Sequence, residues 1–322
     1  MRIVVIGQAA FGQKVLEALT GRGDEIVGVY TSPDIPGKTN PLKELAVQLG
    51  IPTFQPREMR ASEVYAEYLK LKPDLNIMAY VTSIIPESIL NYPKLGTIQY
   101  HPSLLPKHRG GSAINWAIIN GETKTGITIF WPDKGIDTGP TLLQKEVQIS
   151  PDDTVGSLYF DKLFPLGIEA LVESIELIKK GIAPRIPQDE SQATYEGLCT
   201  EKDAVINWIQ LVTRVYNLIR GTNPQPGAIT YFQGKRLKLF DAKLLAGDVG
   251  GFPRQVINIT KEGFTVAAMN GAILIKRVQV EGAPKIAGAE FAEQVDLKVG
   301  DRLGEEDASI AASERDGISF NI

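Results

Sequence analysis

The amino-acid sequence predicts an α/β protein: a mainly parallel sheet with helices on both faces, followed by a smaller domain of short antiparallel strands. Three observations carry this reading. Short β-branched runs alternate with helically spaced apolar residues over the first half of the chain. A stretch rich in Pro, Gln, Glu, Ser and Gly interrupts that pattern over 181–203. Beyond it the pattern turns to short strand-like runs separated by Gly, Pro and Asn.

The first strand is predicted over 2–6, ending at Gly7, and Phe11, Val15, Leu16 and Leu19 follow at helical spacing. A second strand over 26–30 completes a β-α-β unit. A helix over 42–49, a strand over 75–79, a helical turn at 88–90 and a strand over 97–100 follow, the last delivering His101. A strand over 127–131 leads into the loop Pro132-Asp-Lys-Gly-Ile-Asp-Thr-Gly139. Asp153 and Thr154 then read as caps of a long helix reaching 178, with Leu158, Leu163, Leu171 and Ile175 on its apolar face. The second half opens with a helix over 204–220 and continues with strands over 228–232, 237–239, 255–259, 263–267 and 272–280. These elements predict a Rossmann-like domain over 1–182, a linker over 183–203, an OB-like β-barrel domain over 204–303 and a flexible tail over 304–322.

Composition narrows the function. The chain has 322 residues, 43% hydrophobic and 22% charged, with a formal net charge of -4, so nothing global favours a polyanionic partner. One cysteine, Cys199, excludes an intrachain disulfide, and no Cys/His ligand cluster appears, so no metal is expected. The N-terminus lacks a signal-peptide pattern and no apolar run reaches membrane-spanning length, which predicts a cytoplasmic protein without membrane contact. The motif Gly7-Gln8-Ala9-Ala10-Phe11-Gly12 lacks the second glycine of a dinucleotide fingerprint, and no acidic residue ends the second strand. NAD is therefore not expected, and tight strand-helix packing accounts for the glycines.

Both histidines fall close together, at positions 101 and 108. His101 follows a predicted strand of a parallel sheet, where ligands of open α/β folds bind, and an imidazole there is a candidate for proton transfer. His108, flanked by Lys107 and Arg109, fits a loop brace or an anion contact. Asp133 reads as a turn residue bonding its own backbone. Asp137 reads as a turn residue or, if close to His101, as a carboxylate that orients the imidazole and favours its charged form.

Ser103-Leu-Leu-Pro-x-x-Arg109-Gly110, Asn115-Trp116, Gly121-Glu122-x-x-x-Gly126-Ile-Thr128 and Gly135-Ile-Asp-Thr-Gly139, in this order, resemble the signature of the folate-dependent formyltransferase family. Ile206-Asn-Trp208, Asn217-x-x-Arg220 and Pro224-x-Pro-Gly-Ala228 are similar to the start of that family's C-terminal barrel. Within the family, Tyr100-His-Pro-Ser-Leu-Leu-Pro-Lys-His-Arg-Gly110 and Ala193-Thr-Tyr-Glu-Gly197 resemble the hydrolase domains of 10-formyltetrahydrofolate dehydrogenases. The family's trio, Asn-x-His and a distant Asp, maps onto Gln99, His101 and Asp137, with glutamine in place of the usual asparagine. The resemblance implies 10-formyltetrahydrofolate as formyl donor, lying along Tyr80, Val81, Thr82, Ser83, Ile84 and Ile85 and against Asp133, Lys134 and Gly135. It also implies an acceptor or anion near Arg109, Ser103 and His108. The acceptor reads as water or a small amine. A tRNA acceptor is disfavoured because the segment after the second strand is short and holds only Lys38, and a non-catalytic folate-binding module is the remaining alternative. Oligomeric state is left open.

Overall fold

A computed structural model describes residues 1–247 and 249–304. Of the tail expected over 304–322, residues 305–322 lie outside the described residues. In chain order the first half comprises β1 (Arg2–Gly7), α1 (Ala9–Gly21), β2 (Glu25–Tyr30), α2 (Pro41–Gln48), β3 (Thr53–Phe54), α3 (Ser62–Lys70), β4 (Leu75–Ala79), α4 (Glu87–Leu90), β5 (Thr97–His101), β6 (Arg109–Gly110), α5 (Ala113–Ile119), β7 (Lys124–Phe130) and β8 (Thr141–Gln148). A short turn α6 (Val155–Ser157), a π-helical stretch over Leu158–Leu163 and α7 (Phe164–Lys179) follow, then β9 (Tyr195–Glu196). The remainder holds α8 (Val212–Gly221), the strands β10 (Ala228–Phe232), β11 (Lys235–Leu239), β12 (Ala242–Ala246), β13 (Val256–Thr260), β14 (Gly263–Ala268), β15 (Gly271–Ile275), β16 (Arg277–Val280) and β17 (Lys285–Ala287), and α9 (Gly288–Gln294).

The chain divides into two compact units. The first comprises Met1–Ile114, Lys124–Gln148 and Leu158–Gly197; the second comprises Asn115–Thr123, Ile149–Ser157 and the residues from Leu198 onward. Most of the stretch that composition marks as a linker is therefore part of the first unit.

In the first unit a seven-stranded sheet runs β3-β2-β1-β4-β5-β7-β8. β3 to β5 are parallel, whereas β7 pairs antiparallel with β5 and β8 antiparallel with β7. β1 is apolar from Ile3 to Ile6 because the sheet is covered on both faces. Val4 and Ile6 join Tyr30, Tyr68, Met78, Ile89 and Leu90 in one core cluster, while Ile3 and Val5, on the alternate face, are equally inaccessible. Strand order reverses between β1 and β4, and Gly7 ends β1 at that point. A Cβ on Gly7 would lie 2.4 Å from the Ala79 carbonyl oxygen, so packing of β1 on β4 requires this glycine.

The helix expected to run unbroken to 178 is instead three pieces. Pro165 sits in the first turn of α7 and has no N–H to donate to the preceding turn, which opens there into π-helix. The helix expected over 204–220 starts at Val212, because Ile206 and Ile229 are joined by backbone bonding (Ile206 N–H to Ile229 O, 2.8 Å).

The second unit contains two antiparallel four-stranded sheets, β10-β11-β16-β17 and β12-β15-β14-β13. The strand expected over 272–280 breaks at Lys276, whose N–H bonds Asp241 O at 2.7 Å, so that β15 and β16 enter different sheets. Trp208, Val215, Ile219, Phe264, Val266, Ile273 and Phe291 are among the residues that fill its core.

Candidate active site

β5 alternates its side chains across the sheet. Ile98 and Tyr100 point into the core, the Tyr100 ring lying 4.3 Å from that of Phe11, and Gln99 and His101 share the other face. His101 is 5% exposed. Its Nε2 donates to the His108 carbonyl at 2.8 Å, and its Nδ1 faces Asp137 Oδ2 at 3.5 Å. Asp137 Oδ2 in turn accepts the Gly110 N–H at 2.9 Å. The ring is thus anchored by a backbone carbonyl through Nε2, which leaves Nδ1 as the nitrogen that faces the carboxylate. Among the described residues no side-chain hydrogen bond engages the Gln99 amide, which is half-buried beside β4 and β7.

The antiparallel direction of β7 has a consequence for Asp137. Phe130 pairs with Gln99, so the chain leaves β7 heading away from the carboxyl ends of the parallel strands. The loop 131–140 must fold back to reach His101. Within it Asp133 Oδ1 accepts from Gly135 N and Thr138 Oγ1, which makes it a turn residue, whereas Asp137 adopts left-handed backbone (φ 56°) and points at the imidazole. His108 (φ 55°) and Tyr80 (φ 61°) are also left-handed, so three non-glycine residues in the loops after β4, β5 and β7 hold backbone that costs energy and persists only where neighbours enforce it.

The loop after β5 is fixed by short-range and long-range bonds. Ser103 Oγ donates to Lys107 O, its carbonyl accepts from Thr128 Oγ1, and Gln144 bridges Leu105 O and Thr128 Oγ1. His108 N donates to Thr194 Oγ1 at 2.8 Å and its ring Nδ1 lies 3.1 Å from Glu196 Oε1. β6 pairs with β9, and Gly110 (φ 94°) is required there because a Cβ would meet Glu196 O at 2.5 Å.

Arg109, expected near an acceptor or anion, is engaged within the protein. Its side chain is fully buried and all five N–H donors are committed: Nε and Nη2 to Gln188, Nη1 to Tyr195 OH and Glu190, and Nη2 to Glu190. The Glu190 carboxylate raises the guanidinium's already high pKa, and Arg109 holds Glu190 below the usual carboxylate range. Ser103 is likewise buried with its hydroxyl in use. Neither has a hydrogen-bond donor left for an acceptor molecule.

Along the loop 80–86 the placements differ. Ile84 is 83% exposed and Tyr80, Thr82 and Ser83 are exposed, whereas Ile85 is buried in the core with Met78 and Ile89, and Val81 packs against that cluster. Ile85 therefore rejoins the core. Gln8 ties this loop to the strand ends at the order reversal: its Nε2 donates to Thr82 Oγ1 at 3.1 Å, and its Oε1 accepts from Ser32 Oγ at 2.5 Å. Lys134 and Gly135 are exposed, and no hydrogen bond joins 133–137 to 80–86 among the described residues. Among the described residues no group of three or more His, Cys, Asp or Glu could hold a metal ion, and no helix is long and apolar enough to cross a membrane.

Residues 1–175 match the formyl transferase family and residues 199–295 match the formyl transferase C-terminal domain. The chain belongs to the formyl transferase family. Its members are enzymes, and this chain is one of them. It is 42% identical over 306 residues to the cytosolic 10-formyltetrahydrofolate dehydrogenase of Mus musculus, covering 90% of this chain but 34% of that protein. The chain thus spans about a third of the length of those relatives. A methionyl-tRNA formyltransferase of Geobacter sulfurreducens is 38% identical over 311 residues, covering 95% of this chain and 97% of that protein. In fold the chain is similar to HypX from Aquifex aeolicus in complex with tetrahydrofolic acid (TM-score 0.67, 22% identity, 94% of this chain, 48% of that one). It is also similar to the N-formyltransferase from Helicobacter canadensis in complex with folinic acid and dTDP-3-aminofucose (TM-score 0.66, 20% identity, 88% of this chain, 99% of that one).

Proposed function

We propose that this formyl transferase family enzyme takes 10-formyltetrahydrofolate as donor and passes the formyl group to water or a small amine, with His101 and Asp137 as its catalytic pair. The single observation that carries the reading is the His101 imidazole at the carboxyl end of β5, anchored through Nε2 and facing Asp137 through Nδ1. The donor would lie across the strand ends at the order reversal, where Tyr80 and Ile84 offer exposed apolar surface and the loop backbone offers polar groups. Asp133, Lys134 and Gly135 remain proposed as its second wall.

In formyl transfer a nucleophile adds to the formyl carbon, negative charge grows on the formyl oxygen, and the nucleophile sheds a proton. Asp137 is placed to take that proton. An N–H at His101 Nδ1 is placed to stabilise the oxygen, because Nε2 is already committed. The proton then returns to the leaving folate nitrogen as the bond from it to the formyl carbon breaks. Gln99, on the same face as His101 with its amide unengaged, is a second donor for the oxygen. Arg109, Ser103 and His108 we assign to shaping the loop.

A tRNA acceptor stands as the second reading, supported by the methionyl-tRNA formyltransferase relative, which is matched along nearly its whole length. Incubation with 10-formyltetrahydrofolate, following tetrahydrofolate and formate, separates the readings when water alone, amino sugars and methionyl-tRNA are supplied in turn. Formate release without any amine supports the hydrolase, and formylated tRNA supports the second reading. Folate binding with no turnover for any acceptor overturns the enzyme mechanism.

A further inference from the structure

We propose that Gln188 is a positioning residue that sets the spacing of His101 and Asp137. Its amide is saturated. Oε1 accepts from Arg109 Nε at 3.1 Å and Nη2 at 2.8 Å, and Nε2 donates to the backbone carbonyls of Asp137 at 2.8 Å and Gly139 at 2.6 Å. Both oxygen lone pairs and both N–H groups are used.

Each partner lies in a different catalytic loop. Arg109 directly follows the residue whose carbonyl holds His101 Nε2, and it precedes Gly110, whose N–H holds Asp137 Oδ2. Asp137 itself sits in left-handed backbone, a conformation that carbonyl bonding on its own residue and two residues on helps enforce. One side chain therefore joins the loop that carries the imidazole's anchor to the loop that carries the carboxylate. Reaction rates are steep in such spacings: misplacement on the order of 1 Å can cost about 10²-fold.

The role rests on the proposed formyl transfer for its kinetic readout, so a second readout is independent of turnover. The chain has 2 histidines, which makes the imidazole nitrogen resonances assignable with the single variant His101→Ala. Gln188→Glu keeps an acceptor for Arg109, loses both donors and sets a carboxylate against two carbonyls. Gln188→Ala loses everything. For folded Gln188→Glu, we expect kcat for 10-formyltetrahydrofolate to fall about 10- to 100-fold with KM little changed. We also expect the His101 resonances to move toward those of Asp137→Asn. A Gln188→Glu enzyme with wild-type kcat overturns the proposal, even if Gln188→Ala is slow, because only the brace on Arg109 would then matter. Unmoved His101 resonances in folded Gln188→Glu overturn it too. If the wild-type protein does not turn over formyl-folate, the proposed reaction falls and the spectra alone judge Gln188.

Discussion

Replacing Asp137 by asparagine tests the catalytic pair with little change of shape. Asparagine keeps an oxygen to accept the Gly110 N–H, so the loop retains its 2.9 Å anchor. What disappears is the negative charge 3.5 Å from His101 Nδ1. At that separation a full charge interacts with an imidazolium by about 5 kcal/mol at an effective dielectric near 20, and by about 1 kcal/mol if water screens it fully. Both side chains are about nine-tenths buried, which favours the larger figure, yet water entering the crevice lowers it. The two limits correspond to rate losses of about 10-fold and about 10³-fold. Asparagine also cannot accept the nucleophile's proton, so the expected loss in kcat is about 10²- to 10³-fold with KM for the folate changed little. Single-turnover release of tetrahydrofolate, measured with enzyme in excess, reads the chemical step directly. Retention of more than about a tenth of the wild-type rate would refute the assignment of Asp137 to the chemistry, because it lies below the smallest effect the geometry allows.

Arg109→Ala should destabilise the protein by about 2 to 4 kcal/mol in urea unfolding, since it strips five bonds from a buried clamp, and Arg109→Lys should not rescue it because an ammonium cannot reproduce the fork. Gly7→Ala should cost about 2 kcal/mol or more, because its Cβ would stand 2.4 Å from Ala79 O and the two strands must part; unchanged unfolding would contradict the packing account. Acid stability provides a further test. Lys238 first, and Arg236 with it, hold Glu201 at about 2, against an ordinary value of 4.5. A depressed folded value means the contact stabilises above about 4.5 and fades as pH falls toward about 2, so the melting-temperature advantage of wild type over Glu201→Gln should shrink to nothing across that window.

Much of this arrangement was open to inspection in the residues themselves. The short, largely apolar runs of β1, β2 and β4 reflect a sheet covered on both sides, and the short strand that follows them places His101 at its end. β8 gives no such pattern, because Gln144, Lys145 and Glu146 stand in a row within it, and its pairing with β7 has no local signal. The stretch around 188–196 misleads for a better reason. Its Gln, Glu, Thr and Tyr residues have the composition of a linker, and each of Gln188, Glu190, Thr194, Tyr195 and Glu196 finds its partner 79 to 88 positions earlier in the chain. Polarity that would be solvated in a tether is here spent on Arg109 and His108. Ile85 fails the opposite way: beside exposed Ile84 it looks like ligand-facing surface, and only the packing of Met78 and Ile89 shows that it belongs to the core.

The antiparallel turn from β7 into β8 bears on how such an enzyme diversifies. Asp137 rides on a hairpin connection, and hairpin connections can lengthen or shorten without changing which strands are neighbours. A crossover between parallel strands has no such freedom, since its helix must still cover a face of the sheet. The carboxylate proposed for catalysis thus hangs from the one kind of connection in this sheet that can be respecified for a bulkier acceptor while β5 and its histidine stay where they are.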